Sequence, residues 1–183
     1  SDMICFGLAP ALLMYMWSLS NFNVYGSQWS KIAWIACFIY VASAAIRLAR
    51  FNSKIQTQDK KYFVGLASPA AAAVIICYAW MLEVSNVNIA NYNWMSLLLL
   101  PLLSFLMISN ITYYSFKDFN IRHKVPHISL FIIALILSFI SFDPPLVLFS
   151  FFILYALSGP AMYLLRLIKK KKSLSPDKTS SKL

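Results

Sequence analysis

The 183-residue chain is 60% hydrophobic and 12% charged, against about 25% charged residues in soluble domains, and its mean hydropathy is +0.68. That composition excludes a water-soluble globular protein and points to a membrane protein. A net charge of +10 would suit nucleic acid if the basic residues formed a face among polar neighbours, but they stand between apolar runs and read as a topology signal instead.

At about 20 apolar residues per crossing, the sequence predicts an all-α polytopic transmembrane helix bundle of six spans, near residues 3–19, 31–50, 65–83, 93–112, 127–142 and 146–168. The first span has no Lys or Arg ahead of it and does not match a cleavable signal peptide. Its small residues Gly7, Ala9 and Ala11 are expected to face other helices, as are Ala42 to Ala45 in the second span and Ala67 to Ala73 in the third. Pro10, Pro69, Pro101 and Pro160 lie within or near spans and predict kinks or broken turns. Residues 1–168 form one membrane domain on this reading, and 169–183 a basic, disordered tail held to anionic headgroups.

Of the sixteen basic residues, fifteen flank the same side: Arg47 to Lys61, Lys117 to Lys124, and Arg166 onward. The opposite loops carry none, with Lys31 alone at their edge. The positive-inside rule then makes the basic side cytoplasmic, with both ends of the chain and Asp2 on it. Trp17, Trp29, Trp94, Tyr25 and Tyr92 cluster near the outer boundaries as an interfacial aromatic belt.

Metal and redox chemistry find little support in spacing. Cys5, Cys37 and Cys77 form no C-x-x-C pair and read as small buried hydrophobes. His123 and His127 are separated by Pro126, which breaks helical register, and no carboxylate joins them at ligand spacing. The middles of all six spans lack ionisable side chains, which weighs against a proton- or ion-coupled carrier, although six helices would also suit a transporter or a structural subunit.

Three cytoplasmic segments carry the polar residues best placed for chemistry. Arg47 and Arg50 share a helical face at i, i+3, and Arg47 sits nearly a turn deeper than an interface anchor needs. A guanidinium there could grip a carboxylate or phosphate in bidentate fashion; the alternative is a pair of snorkelling anchors. Asn52 could cap the helix or bond a substrate. Ser68, beside Pro69, could donate to a ligand or satisfy a kinked backbone. Lys117 follows the fourth span, where a basic belt would serve equally well. Asp2 alone would read as an acid at a helix N-terminus.

Four motifs change that balance. Ser1-Asp2-Met3-Ile4-Cys5-Phe6-Gly7-Leu8-Ala9-Pro10 resembles the end of the CDP-alcohol phosphatidyltransferase signature and the segment that follows it in phosphatidylserine synthases. Arg47-Leu48-Ala49-Arg50-Phe51-Asn52, then Phe63-Val64-Gly65-Leu66-Ala67-Ser68-Pro69-Ala70-Ala71-Ala72, then Ser115-Phe116-Lys117-Asp118 match the same branch in order, with Ala67 where the family commonly has Pro. The family signature reads D-x2-D-G-x2-A-R-x8-G-x3-D-x3-D, and by position Asp2 is its last carboxylate.

The resemblance implies transfer of a phosphatidyl group from CDP-diacylglycerol to L-serine in a bacterial-type inner membrane, with release of CMP. It also implies a divalent metal, Mg or Mn, bound by the signature carboxylates. Asp2 is then a metal ligand and the general base for the acceptor hydroxyl, and Arg47, Arg50, Asn52, Ser68 and Lys117 are substrate-binding residues. Homodimers are common among relatives and would use small-residue faces. The remaining signature residues and two further spans are expected upstream of residue 1, so the chain reads as the C-terminal part of an enzyme. A relative with another acceptor, or an inactive remnant, is the alternative.

Overall fold

The computed structural model describes residues 1–54, 62–114 and 127–173. A π-helical turn, Ile4–Leu8, leads into α1, Ala9–Trp17; after a 42° bend a 3-10 segment, Leu19–Tyr25, continues the chain. Then come α2 (Ser27–Lys54), β1 (Tyr62–Val64), α3 (Ser68–Val84), a 3-10 turn (Ile89–Tyr92), α4 (Asn93–Ile108), β2 (Thr112–Tyr114), α5 (His127–Phe142) and α6 (Pro144–Ser173).

The regular structure of the described residues is helical apart from one antiparallel clip, in which Tyr62 pairs with Tyr114, Phe63 with Tyr113 and Val64 with Thr112. The most extensive helix pairings run α2 along α4 and α3 along α6, while α1 packs on α2 and α3. Small residues permit this as expected: Ser43, Ala44, Ala70, Ala71 and Ala72 are buried, as are Gly7 and Ala11. Ala9 and Cys5 are exposed, contrary to expectation, on a side of the first helix that no described helix covers; Cys37 is half-buried and Cys77 buried.

All six predicted positions carry a helix, although residues 65–67 and 109–112 fall outside one, and length and composition alone support fewer than six crossings. Among the described residues, three helices are long and apolar enough to cross a membrane, Ser27–Ser53, Ile89–Ile108 and Pro144–Leu165, or four if the bent first pair is one span. The shortfall is one of length. At 17 residues, α3 reaches about 25 Å at 1.5 Å per residue, against a hydrocarbon core of about 30 Å. The basic run also differs from the expected tail: Lys169 to Lys172 continue α6 as helix to Ser173.

The end of the bundle opposite Asp2 holds a buried polar network that the sequence reading did not anticipate. The Ser18 hydroxyl lies 2.9 Å from the Asn93 side chain and 3.0 Å from Ser96 Oγ, which in turn donates to the Tyr78 hydroxyl at 3.4 Å. With the Asn93 amide oriented to donate, it also reaches the Ile89 carbonyl at 3.0 Å. Two of the aromatic residues expected there cluster at this end: Trp94 stands edge-on to Trp29 at 4.8 Å and to Phe22 at 5.2 Å.

Candidate functional site

Pro10 shapes the approach to the site. In an α-helix the Phe6 carbonyl would accept from the amide four residues on, but that residue is Pro10 and has no N–H. The backbone widens to a π turn, with the Ala9 amide donating to the Ile4 carbonyl, and the Tyr40 hydroxyl of α2 donates to the Phe6 carbonyl at 3.1 Å. One turn further along α2, Ala44 meets Gly7 so closely that a Cβ on Gly7 would lie 3.1 Å from the Ala44 Cβ. Tyr40, Ala44 and Arg47 stand at i, i+4 and i+7, one face of α2 against the first helix.

Arg47 is brought there with Ser68. Its Nη1 donates to Ser68 Oγ at 3.0 Å, Tyr155 of α6 lies within its electrostatic reach, and its buried Nε has no acceptor among the described residues. Ser68 is fixed by the turn before it: Gly65 takes φ +81°, its amide donates to the Ile111 carbonyl at 2.8 Å and the Leu66 amide to the Leu106 carbonyl at 3.0 Å. Pro69 then starts α3 in the first turn, where a missing N–H costs nothing.

Asp2, Met3, Phe6, Arg47, Ser68 and Pro69 thus line one cleft of about 50 Å³. That is room for one or two waters at about 30 Å³ each, or for one charged group of a larger ligand. Its wall offers an exposed carboxylate, a guanidinium with a donor to spare, and a hydroxyl. The arrangement can hold an anionic group on Arg47 and Ser68 beside a proton acceptor on Asp2.

Two other predicted site residues are not brought to the cleft. Arg50 turns to the end of α4, its Nη1 donating to the Ile108 carbonyl at 3.0 Å and its Nη2 to Asn110 Oδ1. It therefore satisfies a helix-end carbonyl as a C-terminal cap does, and ties it to the chain that follows. Arg50→Ala should lower the Tm by a few degrees, from about 1–2 kcal/mol of lost hydrogen bonding, and change activity per folded molecule less than threefold; calorimetry beside an activity assay checks both. Asn52 is exposed and lies about 140° round the helix from Arg47. Lys117 lies outside the described residues.

The resemblance implies a divalent metal, but among the described residues no group of three or more His, Cys, Asp or Glu could hold one. Asp2 is the one carboxylate lining the cleft, whereas Mg binds octahedrally through six oxygens. These residues do not by themselves fit the metal.

No family model matches the chain. It is similar to a CDP-diacylglycerol–serine O-phosphatidyltransferase of Helicobacter pylori, 33% identical over 170 residues, which cover 92% of this chain and 67% of that protein. A protein of the same name from Methanocaldococcus jannaschii is 33% identical over 113 residues, 62% of this chain and 45% of the relative. One from Mycobacterium leprae is 33% identical over 81 residues, 42% and 24% respectively.

Proposed function

The chain belongs to the CDP-diacylglycerol–serine O-phosphatidyltransferase family, and from that premise we propose that it transfers a phosphatidyl group from CDP-diacylglycerol to L-serine, with Asp2, Arg47 and Ser68 as its reacting face. The observation that carries the assignment of residues is the shared cleft. It unites, from three helical segments, residues of three motifs far apart in sequence.

In this reaction the serine hydroxyl oxygen bonds to the donor's phosphorus, the bond from that phosphorus to the CMP oxygen breaks, and CMP leaves with the electron pair. The acceptor must lose its hydroxyl proton. Asp2 is the group placed to take it, and Arg47 with Ser68 holds the serine carboxylate or a donor phosphate through parallel N–H and O–H donors. Positioning and charge neutralisation are what phosphoryl transfer asks of a protein.

The enzyme is integral to the membrane, as its long apolar helices indicate. In our reading the shorter α3 and α5 and the bent first helix also cross, with α5 and α6 forming the last hairpin. The basic loops support a cytoplasmic site in a cell membrane, so the donor's acyl chains stay in the bilayer while its headgroup enters the cleft.

An acceptor comparison tests this. CMP release from CDP-diacylglycerol should depend on L-serine and fall at least about tenfold with glycerol phosphate or inositol phosphate, since a recognition site rejects an acceptor that leaves its polar groups mispaired. Release with a phosphorylated alcohol but not with serine would overturn the choice of acceptor.

A further inference from the structure

We propose that Tyr40 is a positioning residue: by bonding the Phe6 carbonyl, whose i+4 donor Pro10 removes, its hydroxyl holds the π turn that presents Asp2 to Arg47 and Ser68. Tyr40 is fully buried, at 0% exposure, and its hydroxyl reaches the Phe6 carbonyl across two helices at 3.1 Å. A buried phenol spent on a main-chain carbonyl usually secures backbone shape, and this carbonyl lies in the π turn Ile4–Leu8 itself.

The turn matters because of what precedes it. A π turn holds one residue more than an α turn, so closing it to α geometry would rotate everything upstream by about 100°. Asp2 stands just before Ile4, and a rotation of that size would swing its carboxylate off the cleft face. Gly7 locks the same place from the side, since its approach to Ala44 leaves no room for sliding. The three α2 residues therefore have separate tasks on one stripe: Tyr40 fixes the turn, Ala44 fixes the distance, and Arg47 binds.

The proposal rests on Asp2 being the acceptor base, so its test reads geometry as well as rate. In the full chain, Tyr40→Phe should lower kcat for serine-dependent CMP release at least about tenfold while the KM for serine changes less than about twofold, measured well below its Tm. In parallel, Asp2→Cys with Ser68→Cys in a Cys5→Ala background should form an oxidative cross-link, and adding Tyr40→Phe should cut its yield several-fold. An unchanged kcat, an unchanged cross-link yield, or kcat and KM worsening together with the Tm would each overturn the positioning role. Loss of cross-linking in a chain whose parent shows no serine-dependent release would support the geometry and sink the functional reading alone.

Discussion

Arg47→Lys is expected to lower kcat/KM for serine-dependent CMP release by about 100-fold, equivalent to ~2.7 kcal/mol. A lysine keeps the charge and loses the fork. Arg47 now spends Nη1 on Ser68 while its buried Nε donates to nothing among the described residues, and a buried donor left unmade costs about 1–3 kcal/mol. That cost is repaid if an anion seats against the guanidinium beside the hydroxyl. Arg47→Met separates the two roles: it should abolish release yet leave the Tm within a few degrees or raise it, because the orphaned donor goes with the charge. If Arg47→Lys keeps activity within threefold, Arg47 is a membrane anchor and not a ligand to substrate.

Gly65→Ala should be the most damaging single methyl in the protein. The backbone there is in the left-handed region at φ +81°, and the added Cβ would lie 2.4 Å from the Met107 carbonyl oxygen and 3.2 Å from that of Ser109. Strain of about 1–3 kcal/mol for the dihedral adds to about 1–3 kcal/mol for overpacking. A fall in Tm on the order of 10 °C in detergent follows. Activity should fall with it even at low temperature, since Ser68 stands three residues further on and its position is set by this turn. Gly26 is the control: it too has positive φ, at +112°, but a Cβ there meets nothing within 4 Å, so Gly26→Ala should cost only the dihedral term. Equal Tm losses at the two glycines would show that the contact with α4 is not what Gly65 protects.

Apolar runs made the six helices legible, because hydrocarbon solvation is written in composition; Ser68 to Val84 and Asn93 to Ile108 begin and end close to where the runs do. Span number was not legible in the same way, since a run of 16 or 17 residues is long enough to be a helix and short for a crossing. At the site, Arg47 and Ser68 could be named from depth and motif, but not their hydrogen bond, which joins residues 21 positions apart. Arg50 misled because i, i+3 spacing fixes only the face of its own helix; what its guanidinium meets is decided by the chain leaving α4. Tyr40 could have been found. Pro10 takes the i+4 donor from the Phe6 carbonyl, and a tyrosine seven residues before Arg47 shares the face that must meet it.

The hydroxyl of Ser18 and the side chain of Asn93 are 75 positions apart in sequence, and that separation has a meaning for biogenesis. At about 5–20 residues per second, roughly 4–15 s of synthesis divide the emergence of the first helix from that of its partner. In that interval Ser18 can turn only to its own helix's carbonyls, and the seat that Asn93, Ser96 and Tyr78 later provide does not exist. The first helix therefore reaches its final pose only after α3 and α4 have followed, so the segment bearing Asp2 is seated last by residues made long after it.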